Sequence, residues 1–221
     1  MTGRDHTKID NDGLALIRQH CDVSRETEDR LMAYVRLLRK WQRSINLVSA
    51  KTLDDVWSRH ILDSAQIFPH LPDGQASIMD IGSGAGLPGI IIGIMRAGCY
   101  GADALPVTLV ESDQRKCAFL ATAARECGIR VKIDNTRLES LPSREPDVIT
   151  ARALASVEKL LIWTRAQHHT GLKCVFLKGA HVDEELTCLA TYPNITSEQH
   201  PSLTGDDGRI LTLTGFDSSS V

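Results

Sequence analysis

The chain has 221 residues, 25 basic and 28 acidic side chains, a formal net charge of −3, 42% hydrophobic and 24% charged residues. That balance excludes disorder, collagen and repeat arrays as the main reading, and leaves enough apolar material for one full core plus a small accessory lobe. The longest apolar run, Ile90-Ile91-Ile92-Gly93-Ile94-Met95, falls far short of the roughly 20 residues of a membrane span. The start, Met1-Thr2-Gly3-Arg4-Asp5-His6, is polar and lacks the apolar stretch of a signal peptide, so a cytoplasmic protein is expected. The six cysteines are scattered without a C-x-x-C pair and are expected as reduced thiols. The eight histidines form no metal-binding spacing, so no metal is expected.

In chain order, residues 12–70 read as helices. Leu14, Ile17 and Arg18 open a short one. Leu31, Tyr34, Val35, Leu38, Trp41, Gln42 and Ile45 follow helical spacing over residues 26–45. Thr52 is placed to cap a third helix, with Asp54 and Asp55 in its first turn, running to about Phe68. Pro69, Pro72 and Gly74 end the pattern. Beyond residue 75 short apolar strands are expected at 76–81, 106–111, 131–133, 147–151 and 172–178, most of them separated by helical stretches. This alternation predicts an α/β fold, a Rossmann-like, doubly wound and mostly parallel sheet. Ile195-Thr196 and Arg209 to Thr214, joined through Gly205-Asp206-Asp207-Gly208, predict a closing antiparallel hairpin, and residues 217–221 a frayed end. Two units are expected: a helical lobe over 1–75 and a Rossmann-like domain over 76–221.

Asp80-Ile81-Gly82-Ser83-Gly84-Ala85-Gly86 follows the first strand directly. Glycines there permit a tight turn and close backbone approach to a ligand, with helix N–H groups aimed into the same crevice. Gly84-Ala85-Gly86-Leu87-Pro88-Gly89 fits the dinucleotide string, and the run from Asp80 fits the turn of methyltransferases that use S-adenosylmethionine. A carboxylate at Asp80 would repel a pyrophosphate and suit an ammonium and a sulfonium. A turn used only for packing would give the same string. Glu111 ends the second strand, where a carboxylate can accept from ribose hydroxyls.

The segment after the fourth strand, Thr150-Ala151-Arg152-Ala153, carries no motif for exocyclic-amine methylation and no cysteine nucleophile. An acceptor that needs no deprotonation, such as guanine N7, fits this lack; it requires positioning and electrostatics.

Several segments together resemble a known family. They are Trp41-Gln42-Arg43-Ser44-Ile45-Asn46-Leu47, Arg59-His60-Ile61-Leu62-Asp63-Ser64, the glycine turn from Asp80 to Gly89, Leu109-Val110-Glu111-Ser112, Arg137-Leu138-Glu139, Thr150-Ala151-Arg152-Ala153 and Leu177-Lys178-Gly179. Over roughly residues 30–180 the chain resembles the bacterial small-subunit ribosomal RNA guanine-N7 methyltransferases, the glucose-inhibited division protein B family. The resemblance implies methylation of one guanine at N7 in 16S ribosomal RNA, free or in the small ribosomal subunit, with S-adenosylmethionine as methyl donor. It implies that Gly82 and Leu87 line the donor pocket, beside Asp80, Gly84 and Gly86 already expected there from the turn, that Glu111 holds the ribose, and that Leu138 and Glu139 meet the adenine. Arg152 would stand beside the methionine end or the target base. Asn46, His60, Asp63 and Ser64 would close over the site.

Residues 30–53 contain no acidic side chain, and Arg36, Arg39, Lys40 and Arg43 share one helix face. Like charges on one face repel unless phosphates answer them, so these four, with Lys178, are the expected RNA contacts. The alternatives are a methyltransferase of the same fold acting on another RNA, a protein or a small molecule, or a nucleotide-binding regulator. A monomer is expected.

Overall fold

The computed structural model describes residues 6–72 and 74–217. The sequence readings of residues 1–5 and of the end beyond Asp217 lie outside the described residues. Helix α1 (His6–His20) begins ahead of the expected opening at Leu14. Helix α2 (Arg25–Trp41) is capped by Ser24, whose hydroxyl accepts from Thr27 N–H. Glu26 and Glu28 lie in its first turn and Arg39 and Lys40 in its last, as the dipole favours. Its buried stripe is Leu31, Tyr34, Val35 and Leu38, at the predicted spacing.

Two helical expectations are corrected. Helix α2 stops at Trp41 because the Gln42 carboxamide takes over the backbone groups that follow. Its Oε1 accepts from Leu47 and Val48 N–H and its Nε2 donates to the Val48 carbonyl. Thr52 caps no helix; its hydroxyl donates to the Ser49 carbonyl within a single 3-10 turn, Ala50–Thr52. Asp54 and Asp55 precede the helical segment, which is a π-helix, Trp57–Leu62, running into α3 (Asp63–Ala65).

The second half alternates as predicted. Strand β1 (Ile78–Ile81) leads to α4 (Gly89–Tyr100), β2 (Val107–Val110) to α5 (Gln114–Glu126) and β3 (Val131–Asp134) to β4 (Val148–Arg152). Helix α6 (Val157–Trp163), β5 (Lys173–Lys178), the short α7 (Val182–Glu185), β6 (Thr196–Pro201) and β7 (Arg209–Thr214) complete the chain. The sheet order is β3-β2-β1-β4-β5-β7-β6. Strands β1 to β5 are parallel, and β7 runs antiparallel between β5 and β6. This is the expected Rossmann-like sheet with its antiparallel closing hairpin. Strand order reverses between β1 and β4, so the crevice at their C-terminal ends is where such sheets bind ligands.

Hydrophobic clusters cover both faces. One joins Ile17, Leu31, Tyr34, Val35 and Leu38 to Ile90, Ile91, Ile94, Phe119 and Leu120. The N-terminal helices thus share a core with α4 and α5. Trp41 and Tyr34 both meet Phe119 edge-on, with ring centroids 5.7 and 6.3 Å apart. The other cluster gathers Met79, Ile81, Ile149, Leu160, Phe176, Leu211 and Leu213. Full burial of each large side chain contributes about 1.5–3 kcal/mol. Among the described residues, no helix is long and apolar enough to cross a membrane.

Candidate functional site

The turn after β1 holds Gly82, Gly84 and Gly86 at φ of 63°, 55° and 80°. A Cβ on Gly82 would lie 2.5 Å from Leu154, and one on Gly86 2.3 Å from Ile90. Both positions are closed to a side chain by packing as well as by their backbone conformation. A Cβ on Gly84 would meet nothing nearer than the Gly82 carbonyl at 3.7 Å, so Gly84 faces the crevice with its backbone bare. Leu87 is buried beyond it.

Asp80 is corrected from a ligand contact to a brace. It is fully buried. Oδ1 accepts from the Thr150 hydroxyl at 2.9 Å and Oδ2 from Gly89 N–H at 3.2 Å. The carboxylate therefore ties β1 to β4 and to the head of α4. Burial raises its pKa to about 6, against the pull of its hydrogen bonds and of Arg152. The buried Tyr34 hydroxyl donates to the Ala85 carbonyl at 2.7 Å. The sequence signalled Tyr34 only as a core residue; its second role depends on where α2 lands.

Glu111, 7% exposed, sits where β2 ends. Its Oε2 accepts from Gly84 N–H at 2.9 Å and Oε1 from Asp113 N–H at 2.8 Å. Each oxygen keeps a further lone pair, so a buried, pre-oriented carboxylate stands beside the bare glycine. Leu138 and Glu139 lie in the 3-10 turn after β3, the first half-buried and the second exposed.

Arg152 ends β4 and is followed by Ala153 at φ 48°, a strained conformation for a residue with a side chain. Arg152 Nη1 donates to the Arg59 carbonyl at 3.0 Å and to Asp63 Oδ2 at 2.9 Å, and Nη2 lies 3.0 Å from His60 Nδ1. His60 Nε2 lies 2.8 Å from the Thr52 hydroxyl, whose proton is already committed to Ser49. That arrangement assigns the His60 proton to Nε2 and leaves Nδ1 to accept from Arg152. Burial, then the charges of Arg152 and Arg59, push the His60 pKa down to about 4. The imidazole is neutral with its lone pair already engaged. Asp63 Oδ1 accepts from Gln66 Nε2 and the Thr204 hydroxyl at 3.0 and 2.8 Å. Around this cluster opens a cavity of about 480 Å³ lined by Thr52, Arg59, His60, Asp63, Arg152 and Thr204 among others.

The structure thus brings together Arg152, His60 and Asp63. Asn46 is exposed and outside that lining, and Ser64 is enclosed in the interior. Sequence reasoning missed Thr52, Gln66 and Thr204, whose roles follow from contacts across the fold.

The expected RNA contacts divide. Arg36, Lys40 and Arg43 are exposed and border a groove of about 490 Å³ between α1 and α2. Arg39 is corrected: its side chain is 14% exposed and holds Asp10 of α1 in a two-point pair at 2.9 and 2.8 Å. Asp10 also accepts from Trp57 Nε1 at 2.8 Å. The acidic partner absent from residues 30–53 comes from α1. Lys178 is corrected too: 8% exposed, it pairs with Glu185 and donates to the Ala155 carbonyl, so its charge is held inside.

The family described as GidB, rRNA small subunit methyltransferase G, matches residues 27–210. A ribosomal RNA small subunit methyltransferase G of Paramagnetospirillum magneticum is 47% identical over 191 residues, covering 86% of this chain and 90% of its own. One from Ruegeria sp. is 44% identical, covering 89% and 94%. In fold, the chain is similar to a ribosomal protein L11 methylase of Lactobacillus delbrueckii subsp. bulgaricus, with TM-score 0.55 and 17% identity over 69% of this chain and 76% of that one. A glycopeptide N-methyltransferase, MtfA, solved with S-adenosyl-L-methionine, matches at TM-score 0.55 and 9% identity over 70% of this chain and 93% of its own. With the matched family spanning most of its length, this chain belongs to the GidB family of small-subunit ribosomal RNA methyltransferases.

Proposed function

We propose that this protein transfers a methyl group from S-adenosylmethionine to N7 of one guanine in 16S ribosomal RNA. The observation that carries the acceptor chemistry is His60, held neutral with its lone pair given to Arg152. A histidine so engaged is not free to take a proton, and N7 already offers a lone pair. Rate then comes from placement and charge.

Family membership supports the methyl donor, and the residues fit it. Gly84 leaves space that a side chain would fill, and Glu111 keeps lone pairs for ribose hydroxyls. When bound, S-adenosylmethionine supplies a methyl group on a positively charged sulfur. Backbone at Gly82, Gly84 and Gly86, with Leu87, Glu111, Leu138 and Glu139, would hold it. Asp80 and Tyr34 keep the turn in shape from beneath. Arg152, fixed by Asp63 and His60, faces the cavity that would take the base. The segment 1–75 would meet the RNA, with Arg36, Lys40 and Arg43 answering phosphates. We place the protein in the cytoplasm, acting as a monomer.

The test is incubation with labelled methyl donor and unmodified 16S ribosomal RNA or small subunits, followed by mapping of the labelled base. Label on one guanine, removable by chemistry selective for 7-methylguanine, is the expected result. Label on protein, or on another atom of RNA, would replace this reading.

A further inference from the structure

Residues 202–208 connect β6 to β7 and form one wall of the Arg152 cavity, through Ser202, Thr204, Gly205, Asp206, Asp207 and Gly208. Internal bonds from Ser202 N–H to the Gly208 carbonyl and from Gly208 N–H to the Gly205 carbonyl shape the turn, and its placement against the cavity is left to other contacts. The segment contains two glycines, and its large apolar residue, Leu203, is 52% exposed and anchors nothing. The anchoring is polar and comes from the other end of the molecule's fold. Gln66, 4% exposed, lies just after α3. Its Oε1 accepts from Leu203 N–H at 2.7 Å, and its Nε2 donates to Ser202 Oγ and to Asp63 Oδ1, each at 3.0 Å. Thr204 adds a bond from its hydroxyl to the same Asp63 oxygen. The other Asp63 oxygen holds Arg152.

A buried carboxamide is costly unless its donors and acceptor are all engaged, and here they are. Two surfaces that needed only adhesion would be joined more cheaply by apolar packing. Directional bonds fix where the loop stands relative to the guanidinium. We infer that Gln66 is a positioning residue for the acceptor base, docking the 202–208 loop on Asp63 so that the wall of the cavity and Arg152 keep one fixed spacing. The inference rests on the reading of that cavity as the acceptor site.

The test measures steady-state methyl transfer to unmodified small-subunit RNA, donor affinity by calorimetry and thermal melting. Gln66→Met keeps the volume and removes the bonds. It is expected to lower kcat/KM for RNA roughly tenfold, through a raised KM and a reduced kcat, with donor Kd nearly unchanged, because what is lost is acceptor placement. Gln66→Glu retains the acceptor for Leu203 but sets a carboxylate against Asp63. Its kcat/KM, relative to wild type at each pH, is expected to recover as pH falls and a shared proton restores the donor. Should Gln66→Met fail to fold, Thr204→Val on the loop side carries the same comparison. Unchanged kcat/KM for RNA in folded, donor-binding variants overturns the inference alone. A wild type that transfers no methyl to RNA overturns the proposed function, and this inference with it.

Discussion

Four basic residues at helical spacing, three on α2 and Arg43 just past its end, look alike in sequence and do different work. Arg39 is locked to Asp10, which in turn receives the Trp57 indole. Arg39→Ala strands that buried carboxylate and is expected to lower stability by about 1–3 kcal/mol, measurable by denaturant unfolding. Glu111 gives a second residue-level expectation. Glu111→Ala should weaken S-adenosylmethionine binding by about 1–3 kcal/mol, as a charge-assisted contact to ribose is lost; calorimetry decides it. Charge type and position were legible for both residues. What sequence could not show was which partner each side chain meets, since Asp10 stands 29 positions before Arg39. Asp80 illustrates the same limit. Its place before the glycines was plain, but only the fold reveals a carboxylate turned inward onto Thr150 and Gly89.

At the scale of elements, the strands were the most legible. Buried parallel strands are short apolar runs bounded by turns, and all five were found close to their observed limits. The helices before residue 70 were harder. The α2 stripe was clear, yet its end was set by one carboxamide competing for backbone groups. The π-helix over Trp57–Leu62 carries no sequence signature that distinguishes it from an ordinary helix. Helix α2 also yields a test of the proposed RNA face. Reversing Arg36, Lys40 and Arg43 to Glu should cut RNA affinity by at least about tenfold and flatten its salt dependence, since fewer counterions are released. Filter binding across a salt series measures this, with donor affinity as the unchanged reference.

For the whole molecule, the packing of the N-terminal helices onto α4 was foreshadowed by composition. Gly89 to Ala97 is buried throughout, and a helix apolar on all sides needs cover on more than one. The folded chain also carries a predictable response to acid. His60 and His168 each have a pKa pushed down to about 4, chiefly by burial. Protonation therefore favours the unfolded chain, whose histidines titrate near 6.5, and stability is lost as pH falls from about 6.5 toward 4. Asp80, raised to about 6, works the other way over part of that window, because the folded state takes up its proton first. Two histidines outweigh one carboxyl, so unfolding free energy measured at successive pH values should decline across this range. Replacing His168 by Gln should make the decline shallower.

The wide coil between Trp57 and Leu62 contains, in effect, one residue more than a regular helix would use for the same path. Excise Ser58, and the segment is free to wind at the ordinary pitch along that same path, with the residues inside the former wide turn, Arg59 and His60, re-aimed. The backbone would gain regularity, while the aim of the Arg59 carbonyl and of the imidazole toward the guanidinium would be lost. A shortened protein that still melts cooperatively yet no longer modifies its target would show that the surplus residue serves alignment, at the expense of tidier winding.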